Sequence, residues 1–428
     1  MENPNQSTTD CPTSDYGLLV GLDWGDQEHA LSFCVKGSQR IERATLAQTP
    51  EALAQWANAL RSRCPKGKIA ICLEQSRGAL ISGLLHYEHI VLFPVNPMSA
   101  ARFRQALYPS GSKNDPTDAD LLLELILKHP DHLKPWRPDT PQTRQLDLLS
   151  EQRRGFVDLR TALTNQLLSH RKAIFPQALQ LVGEDLASRL ATDFLKKWPT
   201  LQALQKVKAS TLRRFYYAHN SRSHELITRR LAVLKNAIAL TQDSALLAAH
   251  SLAIETLVGQ LQSLRASLKG YDQQVALLFE AHPDAELFKS LPGAGPALAP
   301  RLLCTLGSDR SRYPKALSLS CYTGIAPVTE KSGKSKWVHV RWACPKFARQ
   351  SWHEFANSSR HFNPWAQACY ERLKQRMDHH EAIRKLAYKW QRIVWRMWQD
   401  RKPYDENRYV QSLQGRGLET YADLTSTL

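Results

Sequence analysis

Between residues 16 and 128 the spacing of apolar positions changes repeatedly. LLVGLD (18–23) is an apolar run ending on an acid and predicts a buried strand. HALSFCV (29–35) follows a short polar turn as its hairpin partner, and the alternating RIERATLA (40–47) predicts a third strand. TPEALAQWANALRSR shifts to helical spacing at Leu53, Trp56, Ala57 and Leu60 behind a Thr-Pro start. KIAICLE (68–74) reads as a strand, GALISGLLHYE as a short helix and IVLFPV (90–95) as another strand. PMSAARFRQAL and DPTDADLLLELILK read as helices. Three strands, helix, strand, helix, strand and then helices predict an α/β domain over 16–129, with an antiparallel hairpin leading into parallel crossovers.

The pattern then changes character. PDHLKPWRPDTPQ (130–142) holds four prolines and marks a boundary. Residues 143–281 read as nearly all helix, so the fold class is α/β plus all-α. Ile254, Leu257, Leu261, Leu264 and Leu268 step by three and four, a heptad seam that suits either dimerisation or packing within the chain. QRRGFVDLRTALTNQLLSHRK is amphipathic and basic; Arg153, Arg154 and Arg160 either track a phosphate backbone or are simply solvated. A last region, 282–402, opens with LPGAGPALAPRLL, which resembles a helix-hairpin-helix turn. Gly293 and Gly295 would let backbone N–H groups approach a phosphate there. RYPKALSLSCYTGIAPVTEKSGKSKW then reads as a helix running into a Gly/Pro/Ser loop. Residues 1–15 read as a disordered leader, and 403–428 as a tail without a readable signal.

Charge narrows the function. The 428 residues carry a net charge of +17 and a pI near 9.6, which points to a polyanionic partner. Residues 330–402 hold 17 Lys and Arg against 6 Asp and Glu, together with seven of the eleven tryptophans. Basic residues among aromatics suit a surface that holds phosphates and stacks bases; the plain alternative is a Trp-rich core under solvated cations. No stretch reads as a membrane span and no signal peptide is evident. Eight scattered cysteines without a CxxC pair suggest neither zinc nor disulfides, so a cytoplasmic location is expected.

Against this basic background, GSKNDPTDAD (111–120) concentrates acids. Asp115 and Asp118 share a helix face, and a carboxylate pair there repels unless a cation sits on it. Plain helix-start chemistry, with Pro116 at the first position, is the better explanation of the stretch when read alone. Two further acids, Asp23 and Glu74, end apolar strands, where α/β sheets build their sites. If the four converge, two divalent ions would neutralise them and support phosphodiester chemistry. All-oxygen ligands favour Mg²⁺, with Mn²⁺ the alternative.

The order of GLDWGD, CLEQSRG and KNDPTDAD resembles the RuvC-like, RNase H-fold domain of DEDD insertion-sequence transposases, the 110-type bridge-RNA-guided recombinases. LPGAGPALAPRLLCTLG followed by YTGIAPVTEKSGKS is similar to the same family's C-terminal transposase domain, and LDLLSEQRRGFVDLRTALTNQLLS to the helix entering its coiled-coil region. Some positions differ: WGDQ follows the first aspartate where the family commonly has a serine-lysine pair, and Asn114 stands at a usual threonine.

The resemblance implies a DNA transposase that excises and inserts a mobile element on donor and target DNA, guided by an element-encoded RNA. It implies catalysis by Asp23, Glu74, Asp115 and Asp118 with metal, and by Ser332 as the nucleophile forming a phosphoserine link. It implies a site composed between subunits of a dimer or tetramer. Lys113, Lys331, Lys334, Lys336 and Arg341 are further nucleic-acid candidates, lysines being suited to phosphate oxygens. Two competing functions keep part of the pattern: a metal nuclease or junction resolvase without serine chemistry, and a non-catalytic nucleic-acid-binding scaffold.

Overall fold

The computed structural model describes residues 16–75, 77–107 and 115–414. The chain divides between Pro138 and Asp139 into two compact units.

The first unit is built on a mixed five-stranded sheet of β1 (Tyr16–Asp23), β2 (Glu28–Val35), β3 (Ile41–Ala47), β4 (Lys68–Leu73) and β5 (Ile90–Pro94), in the order β3-β2-β1-β4-β5. β1 runs antiparallel to β2 and parallel to β4, and β4 parallel to β5. α1 (Pro50–Arg63), α2 (Ala79–Leu84), α3 (Pro97–Leu107) and α4 (Asp115–Lys128) complete the unit. The crossover helix α1 starts where Thr49 Oγ1 accepts the Ala52 amide at 3.2 Å and Pro50 needs no donor. Two apolar layers form on opposite sheet faces. Leu18, Val20, Leu22, Ile69 and Ile71 pack toward α1 and α2 residues such as Leu60 and Leu80. Leu19, Ala70, Cys72 and Phe93 pack with Leu122, Leu123 and Ile126 of α4. This alternation explains why central strands buried on both sides read as unbroken apolar runs.

The second unit is mainly helical. Its frame is two long helices, α5 (Pro141–Ile174) and α11 (Ser244–Glu280). Gln142 reaches the Leu278 carbonyl, Gln152 meets Tyr271, Arg153 meets Asp272, and His170 meets His250. One number falls as the other rises, so the two helices run antiparallel. All five seam residues, Ile254 to Leu268, are buried, and Ile254, Leu257 and Leu261 share a core with Leu167 and Ile174 of α5. The heptad spacing is therefore satisfied inside the chain.

Contrary to the expectation that no stretch could span a membrane, α11 is long and apolar enough by length and composition, with a mean hydropathy of 1.2. Its leucine seam is nevertheless spent on α5, and Glu255, Arg265, Lys269 and Asp272 interrupt its length.

Between the long helices lie α6 (Ala178–Val182), α7 (Arg189–Lys197), α8 (Leu201–Gln205), α9 (Ala209–Ala218) and α10 (His224–Asn236). After α11 come α12 (Ala285–Lys289), α13 (Gly295–Leu306) and α14 (Ala316–Tyr322). A hairpin of β6 (Val328–Ser332) and β7 (Ser335–His339) follows, then α15 (Lys346–Ser359), α16 (Pro364–Lys374) and α17 (His379–Asp400). Trp352, Trp365, Trp390 and Trp398 are buried in one core of this last region. Trp390 donates its indole N–H to Ser359 Oγ and Trp398 to the Gly307 carbonyl, so these two rings are buried without stranding their donors, whereas the Trp352 indole N–H is buried without a hydrogen-bond partner. Beyond Tyr404, α18 (Glu406–Gln414) sets Tyr409 edge-on to Trp365.

Candidate functional site

Strand register sets two acids of the first unit at neighbouring strand ends. Leu22 of β1 pairs with Leu73 of β4, so Asp23 and Glu74 follow at the level carboxyl ends of neighbouring parallel strands. Both are half-buried. Charge on Glu74 adds to burial in pushing the Cys72 thiol up. α4 lies directly over β1 at Gly21, where a Cβ would fall 2.0 Å from the Ala119 carbonyl oxygen. Only glycine permits that approach, and it carries Asp118, next to Ala119, to the strand carrying Asp23.

The acids of GSKNDPTDAD have separate fates. Asp118 is buried and its Oδ1 lies 2.5 Å from Arg104 Nη2 of α3. Asp120 turns instead to β2 and β3, accepting from Ser32 Oγ at 2.6 Å and from Arg43. Burial works against its charge, but the Arg43 and Ser32 hydrogen bonds hold its carboxyl below the usual range. Asp115 opens α4, with its side chain outside the described residues; Lys113 also lies outside them.

The donors fit a hard divalent cation in kind, being all oxygen. Among the described residues no group of three or more His, Cys, Asp or Glu is gathered closely enough to hold a metal ion. Arg104 already supplies positive charge to Asp118, a role no feature of AARFRQAL advertised.

Ser332 is the last residue of β6, which corrects the expected loop: VTEKSGKSKWVH is a β-hairpin. Ser332 pairs with Ser335 across a two-residue turn, Gly333-Lys334, with Gly333 at φ 56°. That turn needs positive φ at its first central position, the physical reason for a glycine directly after the serine. The expectation failed because serine, glycine and lysine carry weak strand propensity, while the turn alone fixes the register.

Paired residues share a face of the hairpin. Ser332 and Ser335, Glu330 and Trp337, and Val328 and His339 therefore line one face; Lys331 and Lys336, with Thr329 and Val338, line the other. Lys334 occupies the turn.

The other basic candidates differ in availability. Arg160 is exposed. Arg153 is paired with Asp272 at 2.5 Å, and Arg154 bridges Asp158 and Glu354, ties internal to the helical unit. Arg341 turns inward toward the Ala326 carbonyl and Cys321 Sγ. Gly293, in the turn between α12 and α13, and Gly295, the first residue of α13, both have positive φ. Gly293 is pressed against α15, its carbonyl accepting from Ser358 Oγ at 2.7 Å, whereas Gly295 is exposed.

Residues 20–176 match a DEDD transposase family model of the IS110 group, and residues 285–371 match the model described as Transposase IS116/IS110/IS902 family. The chain is 26% identical over 399 residues to the mini-circle transposase protein for IS117 of Streptomyces coelicolor, covering 91% of this chain and 96% of that one. It is 24% identical over 401 residues to the IS900 42 kDa protein of Mycobacterium paratuberculosis, covering 90% and 97%. The IS110 43.6 kDa protein of Streptomyces coelicolor is 22% identical over 398 residues, covering 92% and 96%. Two matches in the same order as the acid-bearing sheet and the serine hairpin, with relatives aligned over nearly their whole length, lead to one conclusion: the chain belongs to the IS116/IS110/IS902 transposase family.

Proposed function

We propose that this transposase cuts and rejoins DNA to move an insertion element, using the acids of an RNase H-like (RuvC-like) domain and Ser332 as nucleophile. The observation carrying the reading is the level placement of Asp23 and Glu74 on β1 and β4 with α4 laid across Gly21. The strand order with β1 central, antiparallel to β2 and parallel to β4, supports the RNase H-like assignment. In this reading residues 16–129 carry the metal chemistry, 143–281 form the helical coiled-coil region and 282–402 carry the nucleophile.

Asp23, Glu74, Asp115 and Asp118 would hold Mg²⁺, two ions in the full site. When bound, Mg²⁺ supplies charge stabilisation at the phosphate and leaving oxygens. Ser332 Oγ forms a bond to phosphorus as the bond from phosphorus to a deoxyribose oxygen breaks. The serine proton passes to a base, and the leaving oxygen is protonated to a free hydroxyl. One ester replaces another, so the phosphoserine link keeps the energy needed for rejoining. Glu330 shares the serine's face, whereas Lys331 and Lys336 lie opposite and suit backbone phosphates beyond the attacked one. Arg160 and Gly295 remain accessible for further nucleic-acid contacts. Partners are donor and target DNA, a guide RNA that reads sequence by pairing, and further copies of the chain in a composite site; the setting is the cytoplasm.

Incubation with labelled donor and target DNA, co-purified RNA and Mg²⁺ tests this reading. Cleavage and strand exchange are expected, and both should stop in EDTA and in Asp23→Asn. DNA binding without any cleavage would favour a scaffold.

A further inference from the structure

The hairpin carries an aromatic feature that the serine chemistry leaves unused. Of the seven tryptophans in residues 330–402, four are buried, but Trp337 is 63% exposed and Trp342 74% exposed. Trp337 is not a random surface residue. It lies two cross-strand pairs from Ser332–Ser335, on the same face. Its ring rests against His339, centroids 4.6 Å apart and tilted by 38°, while His339 Nε2 lies 3.7 Å from Glu330 Oε1. The indole is thus steadied on one side by a neighbouring ring while much of its surface stays open to solvent.

Resting on the proposed serine chemistry, we infer that Trp337 is a positioning residue that stacks an unpaired DNA base beside the phosphate attacked by Ser332. Three observations carry this. Two residues along a strand span about 7 Å, roughly twice the 3.4 Å spacing of stacked bases along one strand. Ser332 at a phosphate therefore sets Trp337 level with a base one or two nucleotides away.

The two hairpin faces also divide the chemistry. Glu330, directly across from Trp337, disfavours a phosphate at that level of the serine face, so that level suits a base, while Lys331, Lys336 and the turn residue Lys334 supply cations for the backbone at the opposite face and tip. Finally, a base offers a π-face whatever its identity, which suits a position that must accept changing sequences.

A single-stranded oligodeoxynucleotide carrying 5-iododeoxyuridine tests the inference by photocrosslinking in EDTA, with the crosslinked peptide identified by mass spectrometry. The crosslink is expected at Trp337. In Trp337→Leu it should be lost and binding weakened about tenfold, whereas Trp337→Phe should keep binding within about twofold. Circular dichroism and melting of both variants should match the unsubstituted protein, the ring being on an exposed hairpin.

Unchanged crosslinking and binding in Trp337→Leu would overturn the inference, as would equal crosslinking of the same probe built as RNA. The two proposals fail separately. A Trp337 crosslink without any protein–DNA adduct would remove the serine chemistry and leave the stacking. An adduct formed equally well by Trp337→Leu would remove the stacking and leave the chemistry.

Discussion

The acid-bearing sheet and the serine hairpin are assembled in opposite ways. Asp23, Glu74 and Asp118 lie far apart in the chain; strand register sets the first two at neighbouring strand ends, and the crossing at Gly21 lays the helix that carries Asp118 over β1. The hairpin is local: twelve residues, Val328 to His339, set Ser332, Glu330 and Trp337 on one face by turn geometry alone. Damage should spread differently in the two. Changes in the sheet unit should couple chemistry to folding and to metal, and changes in the hairpin should alter chemistry while leaving global stability alone.

The largest expected effect is on chemistry. Glu74→Gln should reduce strand cleavage by about 10³-fold or more by removing an oxygen ligand, with DNA affinity unchanged in a binding assay without metal. Equal loss of DNA affinity would show that the strand end is a binding surface instead.

Arg104→Gln should destabilise the protein by on the order of 3 kcal/mol, because the buried Asp118 would lose the guanidinium that faces it. Millimolar Mg²⁺ should restore much of that loss in a thermal melt. No greater Mg²⁺ dependence than in the unsubstituted protein would place Asp118 outside the metal site.

The helical unit has its own pH sensitivity. Burial first, then Arg384, Arg349 and His380, hold the His353 imidazole down at about 4. A depressed histidine favours the folded state while neutral. Its contribution is complete above the unfolded value near 6.5 and is lost as pH falls from there toward 4. Acid should cost on the order of 2 kcal/mol across that window, and His353→Gln should flatten the slope measured by denaturant titration at several pH values.

The smallest effect on stability belongs to the hairpin. Gly333→Ala meets open space but must adopt φ 56°, a strain of about 1 kcal/mol confined to the turn. Adduct yield should fall while the global melting temperature stays the same; a shift in melting would mean that the hairpin is part of the core.

Much of the sheet unit was legible because its signals are periodic. Buried parallel strands leave apolar runs, and the Thr49-Pro50 start announces α1 by a cap that the structure contains. The hairpin was hidden because its strands bury little: Lys331, Ser332, Ser335 and Lys336 are all exposed, so no alternation of burial reached the sequence. The partners of the acids were hidden for another reason. Nothing near KNDPTDAD indicates that Asp118 turns to Arg104 and Asp120 to Arg43, since both choices depend on tertiary placement. The tryptophans divide likewise: composition allowed either core or contact surface, and the structure makes Trp352, Trp390 and Trp398 core while leaving Trp337 and Trp342 outside.

The most direct test is to trap the protein–DNA adduct under denaturing conditions with Mg²⁺, digest it and map the modified peptide by mass spectrometry. The account predicts a protease-sensitive adduct on Ser332, absent in Ser332→Ala and in Asp23→Ala and retained in Ser335→Ala. Cleavage without an adduct, unaffected by Ser332→Ala, would contradict it and leave a metal-dependent nuclease.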